Sequence, residues 1–212
     1  MASTLRPMAT VRVIVVNCNF GNPQPKIRSI LQGLAGEYDP DVWLLCETNR
    51  GRVRRWLGPG HRSHQGRVGG RENNAVAWTP TNVSSGRGRF MVGAWPRLGA
   101  VMETRWINRK WLTPWGARAA VAFHALHVPP SRYDFLVPGF MRRTARTMRR
   151  VKRGVWGGDK NQGNMREAAR QAGLGYREAG VMFLASSLPI RWWVHRAVKG
   201  LDHHIIVADI EV

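Results

Sequence analysis

The stretch VRVIVVNCNFGNPQPKIRSILQGLAGEYDPDVWLLCET, residues 11–48, is the part of the sequence that indicates the fold class most clearly. Its apolar runs at 11–17 and 41–47 predict two buried strands. Between them, apolar side chains recur on one face of a predicted helix, at Ile27, Ile30, Leu31, Leu34 and Tyr38. The pattern predicts a strand–helix–strand unit of an α/β domain, with Asn17 and Glu47 at the carboxyl ends of its two strands.

Carboxylates are scarce in this chain, and three of them stand beside apolar runs. The sequence has 13 Asp and Glu residues against 33 Lys and Arg residues. Glu47 ends a predicted strand, Asp159 follows the run GVWGG, and Asp202 precedes the last predicted strand. Because strand ends are rigid and the loops beyond them are open to substrate, α/β proteins build active sites there. We therefore interpret the chain as a metal-dependent enzyme.

Length and charge limit the classes of protein that fit. The 212 residues suffice for one domain with a buried core, and we expect a single domain over residues 11–212 after a tail of residues 1–10. A formal net charge of +20 attracts polyanions, so nucleic acid is the leading partner and an anionic membrane surface the second. Most of the cations are arginines, whose planar fork suits phosphate.

The sequence predicts neither cysteine chemistry nor a membrane segment. Cys18 and Cys46 are the only cysteines and have no metal-ligand spacing, which favours buried free thiols over a disulfide or redox pair. The N-terminal residues lack the apolar core of a signal peptide, and no run reaches the ~20 apolar residues of a membrane span. We expect a soluble, cytoplasmic or otherwise intracellular protein, and a monomer.

Further strands and helices are predicted around the first unit. An amphipathic helix with a strongly basic outer face is expected over 140–154, and Asn164 with Glu167 predicts the cap of another helix. The polar stretch 50–71 predicts a basic loop with one helical turn around Trp56. Strands are predicted at AVAWT (75–79), MVGAWP (91–96), VMETRWI (101–107), AAVAFHALHV (119–128), GVWGGD (154–159), GVMFLASS (180–187), IRWWVHRAV (190–198) and IIVADIEV (205–212), with turns at TPTN (79–82) and SSGRGR (84–89).

The residue types at these strand ends suit phosphate chemistry. Glu47 is the best candidate metal ligand, because Mg²⁺ takes oxygen from one or two carboxylates and leaves room for water and phosphate. Asp159 and Asn161 are two residues apart, so on an extended stretch a carboxylate and an amide would face one phosphate. The alternatives are a strand exit into solvent for Glu47 and a simple Gly-Asp turn for Asp159. Of His124 and His127, we expect one to pack in the core.

Taken in order, several motifs resemble those of a known superfamily. They are Asn17, PDVWLLCET (40–48), HVPP (127–130), GGDKN (157–161) and LDHHIIVADIEV (201–212). This order is similar to that of the endonuclease/exonuclease/phosphatase superfamily, and the resemblance spans residues 11–212. It implies the deoxyribonuclease I-like fold, a four-layer α/β/β/α sandwich of two mixed β-sheets packed face to face with outer helices.

The resemblance also implies an activity and a set of roles. The activity is hydrolysis of nucleic-acid phosphodiester bonds with Mg²⁺, or Mn²⁺, as cofactor. Glu47 would be the principal metal ligand, with Asn17 and Asn19 arranging its surroundings and Asp202 assisting. Asp159 would orient or deprotonate the attacking water, and Asn161 would help to fix that water and the phosphate. His127 would contact a phosphate oxygen, and His203 would stabilise charge at the pentacoordinate phosphorus.

One departure from the superfamily pattern keeps alternatives open. Val181 stands where relatives usually have an aspartate that orients the catalytic histidine, here His203. Either Glu178 or another carboxylate substitutes for it, or His203 is less well held and the enzyme is slow. The alternatives are a phosphatase or phosphodiesterase acting on a nucleotide or lipid headgroup, and a nucleic-acid-binding protein with weakened catalysis.

Two basic segments are predicted to contact nucleic acid, with DNA favoured over RNA. The stretch after Glu47 supplies Arg50, Arg52, Arg54 and Arg55, and the segment 190–199 supplies Arg191, Trp193 and Arg196. The alternative for the second segment is a strand whose core face carries Ile190, Trp192 and Val194, and core packing is favoured for Trp192. Trp43, Trp78 and Trp156 are expected to fill the core.

Overall fold

Twelve strands and four helices make up the described part of the chain. The computed structural model describes residues 9–19, 24–48, 53–65, 73–91, 107–128 and 137–212. The strands are β1 (Thr10–Asn17), β2 (Val42–Thr48), β3 (Arg62–Gln65), β4 (Asn73–Trp78), β5 (Val83–Met91), β6 (Ile107–Pro114), β7 (Val121–His127), β8 (Gly154–Asp159), β9 (Gly175–Ala179), β10 (Met182–Ser186), β11 (Ile190–Ala197) and β12 (His204–Glu211). The helices are α1 (Gln24–Tyr38), α2 (Val53–Leu57), α3 (Val137–Arg150) and α4 (Met165–Gln171).

The strands form two mixed sheets of six strands each. The first sheet has the order β11-β12-β1-β2-β4-β3, and the second has the order β5-β6-β7-β8-β10-β9. Within them β1 pairs with β2 in parallel and β7 pairs with β8 in parallel. With α1 and α2 covering one sheet and α3 and α4 covering the other, the predicted four-layer sandwich is confirmed.

Alternation along β1 shows how the sequence builds these layers. Val13 and Val15 pack between the two sheets, whereas Ile14 and Val16 pack on the opposite face beneath α1, where they meet Leu31. A strand that is buried on both faces must be apolar throughout, which is why residues 11–16 are almost uninterrupted Val and Ile. Burial of this kind at roughly 25 cal/mol per Å² is the main stabilising contribution in a domain of this size.

The second sheet is covered in the same way. In α3, Phe140 and Met148 are buried against the sheet and the arginines lie on the outer side, as the amphipathic pattern predicts. Asn164 caps α4, because its side chain accepts a hydrogen bond from the backbone N–H of Glu167 at 3.0 Å. The core predictions for Trp43, Trp78 and Trp156 are confirmed. None of the helices in the described ranges has the length and apolar character that crossing a membrane requires.

Several predicted elements differ from the structure. SSGRGR is part of β5 and is not a turn, because pairing with β6 continues past its glycines with a register shift between Ser85 and Gly88. GVMFLASS contributes only β10 (Met182–Ser186), and β6 and β9 were missed. β3 was missed as well, because the stretch 50–71 was predicted as a loop whereas Arg62–Gln65 pairs with β4. MVGAWP and VMETRWI lie outside the described residues except for Met91 and Ile107.

The predicted core position of Trp192 is also wrong. Pairing between β11 and β12 shifts register between Ile190 and Trp192, so the strict alternation from Ile190 is broken. Trp192 is 45% exposed and has the guanidinium of Arg12 over its ring, whereas Trp193 packs partly against the core between the sheets.

His124 is a buried imidazole in the wall of the second sheet, as expected for one histidine of β7. Its ring stacks on Trp156 with centroids 4.8 Å apart, and its Nδ1 lies 3.3 Å from the carbonyl oxygen of Val155. Burial lowers the pKa of His124 to about 3, and the nearby positive charge of Arg109 adds to this effect. His124 therefore stays neutral in the folded protein at pH values at which it is protonated in the unfolded chain.

A test of this burial is the pH dependence of unfolding in a His124→Phe variant. Since the folded pKa lies below the unfolded value, stability is lost as the pH falls below the unfolded pKa of about 6.5. Between pH 7.5 and pH 5 we expect His124 to account for about 2 kcal/mol of the lost free energy of unfolding. Urea unfolding at the two pH values should show a smaller loss in the variant. An equal loss in both proteins would contradict a neutral, buried His124.

Candidate active site

Side chains from both sheets meet where the parallel strands end. β1 and β2 bring Asn17 and Glu47 to one edge of the first sheet, since the register places Asn17 beside Cys46. In the second sheet, β7 and β8 end together with His127 opposite Asp159. His203, in the turn before β12, has its Nε2 3.3 Å from Oδ2 of Asp159. Residues that are far apart in the sequence thus form one cluster.

The backbone at Glu47 is distorted, and this distortion directs the side chain toward the second sheet. In β2, Trp43 and Leu45 pack on the helix side of the sheet, so strict alternation would turn Glu47 to that side as well. Instead Glu47 has a φ of 50°, and the pairing of β2 with β4 shifts register between Leu45 and Thr48. Its Oε1 lies 2.9 Å from Nε2 of His127 in the other sheet. A left-handed backbone at a non-glycine residue costs roughly 1 kcal/mol or more and is typical of functional positions.

The carboxylate of Asp159 is the hub of the cluster. Its side chain is 1% exposed, and Oδ2 accepts a hydrogen bond from Nδ2 of Asn17 at 3.0 Å. The backbone N–H of Asn161 donates to Oδ1 at 2.7 Å. Asn17 is in turn held by the backbone N–H of Asn19, which donates to Oδ1 of Asn17 at 2.9 Å. A buried carboxylate is tolerated because donors satisfy both of its oxygens.

Asn161 and His127 complete the second-sheet side. Asn161 has a φ of 40°, a conformation that asparagine adopts more easily than most residues, and its Nδ2 donates to the carbonyl oxygen of Val128 at 2.6 Å. The same Nδ2 lies 3.4 Å from Nε2 of His127. Asp159 and Asn161 are therefore joined by a tight turn and not by the extended stretch that the sequence predicted.

Two glycines before Asp159 let the sheets approach each other. A Cβ on Gly157 would lie 2.8 Å from side-chain carbons of Val15 and Leu44 in the first sheet. A Cβ on Gly158 would lie 2.9 Å from Sγ of Cys46 in that sheet and 1.7 Å from the carbonyl oxygen of Leu126 in the adjacent strand β7. The thiol of Cys46 donates to that carbonyl at 2.9 Å, and burial raises its pKa well above the usual value. Cys18 and Cys46 are both buried and free, as predicted. Cys46 and Gly158 support the site without chemistry, and their contribution was not foreseen from the sequence.

Three side chains of the cluster have the chemistry of a metal site. Glu47, His127 and Asp159 each offer one ligand atom, and these atoms lie within 4.8 Å of one another. Two carboxylates this close repel each other unless a cation or protons compensate them. Oxygen from Glu47 and Asp159 suits a hard divalent cation, and the imidazole nitrogen suits a first-row transition metal. The donor set therefore fits a divalent metal.

Asp202 and His203 are neighbours in the turn before β12. Asp202 is exposed, and its Oδ2 lies 4.0 Å from Nε2 of His203 and outside the three-residue metal group. Glu178 does not substitute at Val181, because its carboxylate binds Arg166 at 2.5 Å and accepts from the hydroxyl of Tyr176. Among the described carboxylates, Asp159 lies nearest to His203.

The predicted nucleic-acid contacts separate into two groups. Arg191 forms an ion pair with Glu211, and Arg196 forms one with Glu37, so both cations are used within the protein. The ring of Trp193 lies under the guanidinium of Arg177, with 5.7 Å between the guanidinium carbon and the ring centroid. The remaining candidates are Arg54 and Arg55, which are exposed on α2, and Arg50 and Arg52, which lie outside the described residues.

Comparison with known proteins agrees with this architecture. A scan against protein-family models and a search of curated protein sequences each find no match. Solved structures do match, among them an AP endonuclease from Leishmania major, with 15% identity, a TM-score of 0.71 and coverage of 99% of this chain and 90% of that one. An endonuclease/exonuclease/phosphatase from Bacteroides vulgatus has 13% identity and a TM-score of 0.74, covering 96% and 99%. D. rerio TDP2 complexed with single strand DNA product has 11% identity and a TM-score of 0.71, covering 96% and 100%.

These similarities define the class of fold. The chain has the deoxyribonuclease I-like fold that the named solved structures share, and the resemblance found in the sequence motifs is confirmed at that level. The neighbours include proteins named as endonucleases, and the cluster of Glu47, His127 and Asp159 lies at one edge of the sandwich.

Substitution of Gly158 tests the close fit of β8 against β7 and against Cys46 of the first sheet. Gly158→Ala places a methyl group against the backbone of Leu126, which cannot move without displacing β7, so we expect a loss of about 3 kcal/mol in the free energy of unfolding. Gly36→Ala is the matched control, because nothing lies within 4 Å of a Cβ at that position of α1. The control should be neutral or slightly stabilising. A Gly158→Ala variant as stable as the control would show that Gly158 has more room beside Leu126 and Cys46 than described.

Proposed function

We propose that this protein is a metal-dependent phosphodiesterase that hydrolyses nucleic acid. The observation that carries the proposal is the meeting of Glu47, His127 and Asp159 at one edge of a deoxyribonuclease I-like sandwich. The formal charge of +20 favours a polyanionic substrate over a small phosphoester. We further propose that residues 11–212 act as one domain, that the protein is a soluble intracellular monomer, and that DNA is preferred to RNA.

In this proposal the acidic side chains hold the metal and prepare the water. Glu47 and Asp159 would bind the cation, with Asn17 keeping the Asp159 carboxylate in place. A bound divalent cation supplies positive charge for a phosphoryl oxygen and lowers the pKa of water. Asp159 also orients the attacking water or accepts its proton. The hydrogen bonds from Asn17 and from the backbone of Asn161 fix its two oxygens, so little reorganisation is required.

The neighbouring donors would stabilise the transition state. His203 is 28% exposed on the open side of Asp159, where its imidazole reaches a phosphate bound above the cluster. His127 and Asn161 lie side by side and would contact a phosphoryl oxygen. Asp202 is assigned an assisting role at the rim, since its carboxylate lies near His203. Together these residues place donors where negative charge develops on phosphorus.

A binding protein with weakened catalysis is the second candidate, and Val181 favours it. The side chain at this position offers no carboxylate to His203, and Glu178 is engaged with Arg166. Asp159 would therefore both prepare the water and hold His203 in place. Sharing one carboxylate between two tasks predicts a slow enzyme.

The first test is cleavage by wild type and Glu47→Gln. We expect metal-dependent cutting of labelled DNA or RNA by the wild type, abolished by EDTA. Because the variant removes the charge of a direct ligand, its metal affinity should fall by more than the roughly 10- to 100-fold seen for supporting residues. Glu178→Gln is the control, since it removes a carboxylate outside the site, and it should cut normally. If the wild type and the Glu178→Gln control cut no polymer with Mg²⁺ or Mn²⁺, the hydrolase proposal fails. The alternative, a nucleic-acid-binding protein with weakened catalysis, is then favoured.

The role of His127 can be separated from that of the carboxylates by metal binding alone. Mg²⁺ takes oxygen ligands almost exclusively, whereas Mn²⁺ accepts imidazole as well. If His127 is a ligand, His127→Asn should weaken Mn²⁺ more than Mg²⁺ in calorimetric titrations of the protein without substrate. If His127 contacts phosphate instead, both metals should bind as in the wild type while the KM for substrate rises.

A further inference from the structure

A basic groove lies on the outer surface of the first sheet, between α1 and α2. It consists of two concavities of about 800 and 530 Å³ that share Arg28 and Arg55 in their walls. Ser29, Gln32 and Trp56 contribute to the larger concavity, and Arg54 contributes to the smaller. We call this surface the α1–α2 groove. It is built from residues that take no part in the metal cluster.

The wall formed by α1 follows from helical spacing. Ile27, Leu31 and Leu34 are buried against the first sheet. Arg28, Ser29 and Gln32 are therefore displaced around the helix and are exposed, with Gln32 one turn beyond Arg28 on the same face. These side chains form a line along the helix, and each of them is able to donate hydrogen bonds to an anion.

The opposite wall depends on the anchoring of α2. A five-residue helix is not stable by itself, and this one is held by burial of Val53, Trp56 and Leu57 against the same core that α1 covers. Trp56 is 2% exposed, and its position in the lining of the larger concavity makes it part of the floor. Its burial leaves Arg54 and Arg55 exposed. The two helices thus present three guanidinium groups around one concavity.

Among the described residues that line the groove, no carboxylate compensates its positive charge. Several arginines elsewhere have carboxylate partners, as in the pairs Arg12–Asp209, Arg166–Glu178 and Arg196–Glu37. Three like charges around one hollow repel each other, which a bound polyanion would relieve.

The groove is formed by the two helices that follow the site strands β1 and β2 in the chain. α1 runs from the loop that follows Asn17, and α2 begins shortly after Glu47 and Thr48 at the end of β2. The ends of both helices nearest to these residues are therefore on the same edge of the sandwich as the metal cluster. The groove extends over about two turns of α1, or roughly 10 Å, along the outside of the sheet.

We propose that the α1–α2 groove binds the phosphodiester backbone of a nucleic-acid strand next to the segment that is cut. The inference rests on the proposed function and extends it by assigning a path for the flanking strand. Arg28, Arg54 and Arg55 bind successive phosphates with bidentate hydrogen bonds, and Ser29 and Gln32 donate to phosphate or sugar oxygens. The groove is concave and its tryptophan is buried, which suits a strand better than a flat membrane surface.

The test compares two double variants. One removes two guanidinium groups from the groove, and the other removes two from a different surface. The groove variant is Arg28→Gln/Arg55→Gln, and the matched control is Arg149→Gln/Arg150→Gln, which removes the same charge from exposed positions of α3. Both are made in full-length protein and measured in EDTA, so that binding is recorded without cleavage. Anisotropy of labelled single-stranded DNA of about 4 and about 16 nucleotides, the range of single-strand site sizes, is measured against salt concentration.

We expect the groove variant to bind the longer strand roughly tenfold more weakly and with a shallower salt dependence. Loss of two phosphate contacts reduces the slope of log K against log salt by about 1.4 for single strands. The control should keep the wild-type slope, and the short strand should be little affected in either variant. Hydrolysis of bis(p-nitrophenyl) phosphate, a substrate too small to span both the candidate active site and the groove, should be unchanged in the Arg149→Gln/Arg150→Gln control.

The outcomes separate this inference from the proposed function. If both variants lose the same affinity and slope, the groove has no special role and only net charge matters. If neither changes the slope, or if the groove variant loses binding to phosphatidylserine vesicles but not to DNA, the inference is overturned, whether or not the wild type cuts DNA. If the slope changes in the groove variant alone and neither the wild type nor the variants cut nucleic acid, the result would support nucleic-acid binding by the groove and contradict the proposed nuclease activity.

Discussion

The carboxylate of Asp159 is the contact on which the site depends. It lies at the end of a strand of the second sheet, yet it accepts a hydrogen bond from Asn17 of the first sheet and lies beside His203, which belongs to neither. A carboxylate that is 1% exposed would be costly without such donors. Its burial therefore requires the two sheets to meet with their strand ends aligned. Gly157 and Gly158 help to make this possible, because a Cβ on Gly157 would meet Val15 and Leu44 of the first sheet and a Cβ on Gly158 would meet Sγ of Cys46 in that sheet.

Glu47 shows the cost of placing a second carboxylate beside the first. Its left-handed backbone and the register shift in β2 turn the side chain out of the regular alternation and toward His127. Glu47 therefore has a strained backbone, and its carboxylate lies close enough to that of Asp159 for the two to repel each other. Neither cost would arise if the apolar strand ended without a carboxylate. A divalent cation would compensate the repulsion, and strain of this kind is typical of functional positions.

Charge elsewhere in the molecule has more than one role. Arg191 and Arg196 stabilise the edge of the first sheet through ion pairs, and the arginines of α3 cover the second sheet on its outer side. Around the α1–α2 groove, Arg28, Arg54 and Arg55 combine positive charge with a concave surface. The excess of +20 is thus a property of the whole chain, whereas a specific path for a polyanion depends on the packing of α2 against α1.

By itself, the apolar pattern of the sequence determined that residues 11–48 form a strand–helix–strand unit, because runs that are buried on both faces are inner strands, and it determined which polar residues end those strands. The four-layer arrangement was implied only by the resemblance of the motifs to a known superfamily. Residues 11–48 predicted β1, α1 and β2 closely. Only the tertiary structure decided which atoms meet. Pairing with β6 makes SSGRGR a strand, a register shift exposes Trp192, and carboxylates distant in sequence occupy Arg191 and Arg196. The turn of Glu47 toward His127 was likewise invisible, since it depends on a distortion that local pattern does not encode and that contacts between the two sheets impose.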